Sequence, residues 1–70
     1  MVINHDQKFR LSANGMNCLD VLVAEIKIGE VRVESGMIPH AFIILSDSIE
    51  ADSQWLHDVG EAAISRTCDP

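Results

Sequence analysis

The chain has 70 residues and a mass of 7.7 kDa, which is the size of one small domain. A hydrophobic fraction of 47% and a charged fraction of 23% are typical of a folded globular protein and argue against disorder. The formal net charge of −6 excludes a protein that binds the phosphate backbone of nucleic acids through a basic face. No apolar run approaches the roughly 20 residues that a membrane-spanning helix needs, so we expect no membrane contact.

The cysteine and histidine positions indicate neither a disulfide framework nor a metal site. Cys18 and Cys68 are far apart in the chain and form no C-x-x-C motif, which favours a reducing compartment. The histidines have no H-x-x-x-H spacing, and the first residues lack the basic and apolar regions of a signal peptide. We therefore predict a cytoplasmic protein that uses no metal and no cofactor.

The first part of the chain predicts a β-hairpin. Residues 1–7 have no periodic signal and predict no more than a short edge strand. Residues 9–13 alternate between apolar and polar side chains, as a half-buried strand does, and Asn14-Gly15 is a turn dipeptide because both residues tolerate positive φ. A loop longer than two residues places Leu11 opposite Leu19, so that apolar side chains share the buried face.

Residues 19–34 permit two interpretations. As strands, their apolar alternation slips at Ala24-Glu25, which requires a bulge or a break. As a helix, the apolar residues of positions 19–26 have helical spacing, with Asn17 as a possible N-cap. The β-branched content favours strands. Gly29-Glu30 then predicts a hairpin turn that sets Ile28 opposite Val31.

The last part of the chain predicts a strand and a helix. The apolar run of residues 41–45 is typical of a strand buried on both faces. After it, apolar residues from Trp55 to Ala63 fall on one stripe of a helix, with Asp52 or Ser53 as the N-cap.

These elements predict an α+β fold in one domain, residues 1–70. Its antiparallel sheet has about four short strands, and the C-terminal helix packs across one face. The alternative replaces the second strand with a helix. The predicted core contains Phe9, Leu11, Leu19, Val21, Ile26, Ile28, Val31, Val33, Phe42, Ile44, Trp55, Leu56, Val59 and Ala63.

Catalytic motifs are missing from the sequence. There is no G-x-S-x-G nucleophile elbow and no glycine-rich phosphate loop, and the few aromatic residues do not provide a platform for stacking bases. Cys18 activated by His57 is a remaining possibility for a catalytic nucleophile, although no sequence motif supports it. We expect a protein that is not an enzyme.

The distribution of charge is the most informative feature. Residues 46–70 hold almost the whole excess of carboxylates, against Arg66 alone. These carboxylates gather at the predicted helix start and on its polar face, which predicts a partner-binding surface of Asp47, Glu50, Asp52, Asp58 and Glu61. A soluble helix with a capped start, whose acidic face is only solvated, accounts for the same residues.

In size, acidity and absence of a catalytic motif, the chain resembles small phage-encoded inhibitors, including anti-CRISPR proteins, some of which occupy the DNA-binding surface of their target. The resemblance implies a non-enzymatic inhibitor or modulator that docks an acidic face on a basic surface of a protein partner. Two alternatives stay open. One is a structural or assembly module that self-associates through a sheet edge, as a homodimer does, and the other is a small enzyme or enzyme subunit that uses Cys18 or a histidine.

Overall fold

The computed structural model describes residues 1–68, the last of them by its backbone alone. In chain order the elements are β1 (Val2–Ile3), β2 (Arg10–Ala13), β3 (Cys18–Val23), β4 (Ile26–Glu34), β5 (His40–Leu45), β6 (Glu50–Ala51) and α1 (Ser53–Cys68). The main sheet is antiparallel with the strand order β2-β3-β4-β5, and α1 packs against β4 and β5. The predicted α+β fold, with four antiparallel strands and one C-terminal helix, is therefore confirmed.

Period-two alternation explains how the sheet meets the helix. In β3, Leu19, Val21 and Val23 are buried, and the residues between them are only half-buried. The same pattern continues in β4 with Val31 and Val33. Since successive side chains of a strand point to opposite faces, one face of the sheet is apolar and lies under α1. We call this the inner face, and the opposite side the outer face.

The start of the chain is part of the fold. β1 pairs in parallel with β6, so that Ile3 lies opposite Ala51 in a separate two-stranded sheet. Ile3 is only 2% exposed and belongs to the core, a role that the sequence analysis missed. The N-terminal ammonium group donates a hydrogen bond to the carbonyl oxygen of Ser48 at 2.9 Å.

The hairpin turn predicted at Gly29-Glu30 is wrong. β4 runs without interruption through this position, and the chain reverses at Ala24-Glu25, where Val23 lies opposite Ile26. Ala24 and Glu25 have φ of 52° and 65°, as the two central residues of a type I′ turn do. Between Val21 and Leu22 the pairing of β3 with β4 shifts by one residue, which is a β-bulge. The bulge accounts for the break in the apolar alternation that the sequence shows at Ala24-Glu25.

The register predicted for the first hairpin is also wrong, although its buried face is right. Leu11 lies opposite Val21, and not opposite Leu19. The amide of Asn14 donates to the carbonyl of Cys18 at 2.9 Å, so the strands continue past Ala13 before the loop closes. The displacement is two residues along β3. Because side chains alternate with a period of two, such a shift keeps the same residues on the inner face.

Three residues of the predicted core are exposed. Ile26 is 58% exposed because it directly follows the turn, and Phe42 and Ile44 are 50% and 69% exposed. β5 was predicted to be buried on both faces, and this is wrong, since α1 covers only its inner face. Phe9 and Leu56 are half-buried against the core, and Val23 is a core residue that the prediction omitted.

The helix begins where the sequence predicted. The side chain of Asp52 accepts a hydrogen bond from the backbone N–H of Gln54 at 2.8 Å, which makes Asp52 the N-cap. Trp55, Val59 and Ala63 are fully buried along one stripe of α1. Within the described residues, no helix is long and apolar enough to cross a membrane.

Candidate protein-interaction surfaces

The polar face of α1 carries two of the five predicted binding residues. Asp58 and Glu61 are exposed, on the side of the helix away from the buried stripe of Trp55. Their contacts stay on the same helix: Gln54 donates to the Asp58 carboxylate at 3.1 Å, and the Nε2 atom of His57 lies 2.9 Å from Glu61 Oε1. The helix therefore presents both carboxylates to solvent.

The other three predicted residues precede the helix. Asp47 is exposed in the turn after β5, which is closed by a hydrogen bond from the N–H of Ile49 to the carbonyl of Ser46 at 2.9 Å. Glu50 is exposed on the two-residue strand β6. Asp52 is exposed too, but its carboxylate is used as the cap of α1. The predicted surface thus has a helical part, Asp58 and Glu61, and a part in the segment that leads into the helix.

The cations of the sheet are already matched by carboxylates of the sheet. Arg10 lies 2.7 Å from Glu25, Lys27 lies 3.3 Å from Asp20 and 2.9 Å from Glu30, and Arg32 lies 4.0 Å from Glu34. Near the helix the described part of the chain has Arg66, which donates from Nη1 to the backbone carbonyl of Leu11, and the N-terminal ammonium group, which donates to the carbonyl of Ser48. Because the cations of the sheet are paired with nearby carboxylates, the excess of negative charge lies in residues 46–67.

The pKa shifts follow the same ion pairs. The hydrogen bonds and the charge of Arg10 lower the pKa of Glu25 below its ordinary value, and Glu25 in turn raises the pKa of Arg10. Hydrogen bonds to Glu30 and Asp20 raise the pKa of Lys27. Each shift favours the charged state, so these pairs stay ionised on the sheet.

An apolar surface on β5 is a second candidate site that the sequence analysis missed. Phe42 and Ile44 are exposed on the outer face, and Met37 and Ile38 are exposed in the segment before β5. β5 is an edge strand, since among the described residues its only neighbour in the sheet is β4. The sequence contained a signal for this surface. A run of five apolar residues in a strand is buried on both faces only if another element packs on each face, and α1 packs on the inner face alone.

A groove of about 440 Å³ lies beside this edge, between β5 and α1. Its apolar walls come from Ala41 and Ile43 on the strand and from Leu56 and Ile64 on the helix. The side chains of His57 and Glu61, which contact each other, border it. The groove is open to solvent, and it joins the acidic face of α1 to the free edge of β5.

The nucleophile pair that the sequence left open is not assembled. Cys18 alternates with the buried residues of β3 and is half-buried on the outer face. His57 is exposed on α1, which packs on the inner face, so the sheet separates the two side chains. In the part of the chain that the structure describes, no group of three or more His, Cys, Asp or Glu is arranged to hold a metal ion.

Comparison with known proteins finds no matching family, curated protein or solved structure.

Proposed function

We propose that the protein is a non-enzymatic binding module that docks the acidic face around α1 on a basic surface of a protein partner. The binding residues of this proposal are Asp47, Glu50, Asp52, Asp58 and Glu61. The partner surface is one that otherwise holds nucleic acid, so that binding inhibits or modulates the partner. The proposal places the protein in the cytoplasm.

The separation of charge carries this proposal. The sheet pairs each of Arg10, Lys27 and Arg32 with a carboxylate, while Asp47, Glu50 and Asp58 have no Lys or Arg contact among the described residues. Unpaired exposed carboxylates on one side produce a negative potential, which steers a protein towards a positive surface and selects against negative ones. A surface that binds a phosphate backbone is positive by necessity.

Capture with matched baits tests the proposal and identifies the partner in the same experiment. The wild type, the double variant Asp58→Lys with Glu61→Lys, and the control Glu30→Lys with Glu34→Lys are each used to retain proteins from extracts of the organism that encodes the chain. Both doubles change the net charge equally, but the control changes exposed side chains of β4 and not of α1. Quantitative mass spectrometry compares what the three baits retain.

We expect one or more proteins with a basic surface that the wild type and the control retain and the helix variant loses. Once such a partner is purified, its Kd for the wild type should rise with salt, because attraction between exposed charges is screened beyond about 8–10 Å at physiological ionic strength. Removing one partner of a desolvated charge pair at the centre of the interface costs about 2–5 kcal/mol, and removing one at the rim costs much less. Equal retention of every captured protein by the wild type and by the folded helix variant contradicts the proposal.

A further inference from the structure

We propose that the free edge of β5 pairs with β5 of a second copy of this chain. The two strands run antiparallel about a two-fold axis at Ile43 and join the two main sheets into one sheet of eight strands. This inference does not depend on the acidic residues, because it rests on the backbone groups and the uncharged side chains of β5.

The two edges of the main sheet are treated differently. β2, at one edge, has four residues, begins with the charged Arg10, and has the carbonyl of Leu11 covered by Arg66 of α1. β5, at the other edge, has six residues without Lys, Arg, Asp or Glu. Proteins that keep an edge strand unpaired shorten it, charge it or cover it. β2 has these protections, and β5 lacks them.

The backbone of β5 shows which groups are free to pair. Ser46 donates its N–H to the carbonyl of Ile28 on β4 at 3.0 Å. Successive N–H groups of a strand point to alternate sides, so those of Leu45, Ile43 and Ala41 point away from β4. The pairing with β4 uses the alternate residues of β5, and no turn, loop or side-chain hydrogen bond among the described residues reaches these three amides or their carbonyls. They form a row of donors and acceptors along the edge.

This row is complementary to itself in one register. With Ile43 opposite Ile43 of the second copy, Ala41 lies opposite Leu45, and all three outward-pointing residues exchange both backbone hydrogen bonds with the other strand. A register centred on Phe42 places Pro39 opposite Leu45, and proline has no N–H to donate. A register centred on Ile44 runs past the end of β5 into Asp47.

The side chains fit the same register. On the outer face Phe42 of each copy lies opposite Ile44 of the other, so four exposed apolar side chains form one cluster. On the inner face the half-buried Ile43 lines the groove between β5 and α1. In the proposed dimer, Ile43 of the second copy lies opposite it and extends this apolar surface. No charge lies opposite a like charge along the paired strands.

Charge exchange across the two-fold axis tests the pairing. Phe42→Lys with Ile44→Lys places lysines opposite lysines in a homodimer, and Phe42→Glu with Ile44→Glu places glutamates opposite glutamates. Each double variant should therefore self-associate at least about tenfold more weakly than the wild type in sedimentation velocity. A mixture of the two should form a one-to-one complex, identified by native mass spectrometry, because each lysine then faces a glutamate.

Ile26→Lys is the matched control, since Ile26 is 58% exposed and lies at the β3–β4 turn, away from the edge. This variant should self-associate as the wild type does. Helical circular dichroism identifies any double variant that is not folded, and the mixture then shows whether pairing restores the fold. A wild type that remains monomeric at millimolar chain concentration contradicts the proposal, and so does a dimer that both doubles leave unchanged.

Discussion

Gly29 shows how one residue sets the spacing of two strands. A Cβ atom at this position would overlap the backbone carbonyl oxygen of Ile44 and would lie 2.9 Å from a methyl group of Leu45. The glycine therefore lies in the middle of β4 because β5 approaches it closely, and not because the chain turns there. This use of glycine has the same sequence signature as a turn, which explains the wrong hairpin prediction.

Gly29→Ala should lower the free energy of unfolding by about 1–3 kcal/mol, because the added methyl group must displace backbone atoms of β5. Gly36→Ala is the control, since nothing lies within 4 Å of a Cβ atom built there. Denaturant unfolding compares both variants with the wild type. Equal stability of the two alanine variants would show that β5 does not pack against Gly29 as described.

The Arg10–Glu25 ion pair lies at the turn of Ala24-Glu25, where both turn residues have positive φ. Two hydrogen bonds, from Nε at 3.1 Å and from Nη2 at 2.7 Å, join the guanidinium group to the Glu25 carboxylate. Positive φ is unfavourable for residues other than glycine, and the ion pair holds Glu25 in this conformation.

Arg10→Gln should return the pKa of Glu25 towards its ordinary value, as NMR titration of the side-chain carboxyl would show. Because the folded-state pKa of Glu25 is lowered, the stabilisation is present above the unfolded-state pKa and disappears as the pH falls through the folded-state pKa. The difference in stability between the wild type and Arg10→Gln should therefore shrink on acidification. A difference that grows on acidification would assign the effect to another group.

Among the elements, α1 depends on its cap and on its buried face. Asp52 accepts from the N–H of Gln54 and satisfies one of the four amides that a helix start leaves without a partner. Trp55 follows in the first turn, with its ring edge-on to Phe9 at a centroid distance of 5.7 Å. Its Nε1 group donates to the carbonyl of Gln7 at 2.9 Å, so the helix is tied to the segment before β2.

Asp52→Ala should lower the free energy of unfolding by about 1 kcal/mol, because the capping hydrogen bond is lost. Asp47→Ala removes the same charge from an exposed turn position and should leave stability nearly unchanged. Thermal unfolding of the two variants separates capping from charge. If both lose the same stability, repulsion among the carboxylates, and not the cap, controls the start of the helix.

Trp55→Ala should lower the free energy of unfolding by about 3–5 kcal/mol, since Trp55 is fully buried and the cavity cannot close completely. In a chain of this size such a loss unfolds a large part of the population. Trp55→Phe keeps an aromatic ring against Phe9 and should lose less. A Trp55→Ala protein with an unchanged melting curve would mean that α1 does not dock through this face.

The sequence predicted the elements with a clear period and missed those that depend on neighbours. The apolar stripe of the helix and its capping residue, Asp52, were both predicted from local rules. The two-residue strand of Ile3 is too short to have a period, and its pairing with Ala51 comes from a distant part of the chain. The Ala24-Glu25 turn has neither Gly nor Asn, so its only sequence signal was the slipped alternation.

The same distinction applies to the candidate sites. The acidic residues of α1 were identified because helical periodicity determines which side is polar. The β5 surface was missed because the exposure of Phe42 and Ile44 depends on whether anything covers the outer face. A local pattern shows that a strand is apolar, whereas only the whole fold shows which of its faces lacks a cover.

The sheet separates an acidic surface around α1 from an apolar surface on the outer face of β5. Nearby carboxylates neutralise Arg10, Lys27 and Arg32, so the uncompensated negative charge of the chain lies beside α1. The outer face of β5, with Phe42 and Ile44, has no charge of its own. We propose that the acidic surface binds the partner and that the β5 edge binds a second copy of the chain. One dimer then presents two acidic faces.

NMR titration shows directly where the partner binds on the surface of the chain. The isotope-labelled protein is titrated with the captured and purified partner, and its backbone amide signals are followed by NMR at low and at high salt. We predict that the largest perturbations fall on residues 47–61, around Asp58 and Glu61, and that they diminish as salt rises. Perturbations confined to β2 and β3, or unaffected by salt, would contradict the claim that the acidic face of α1 is the docking surface.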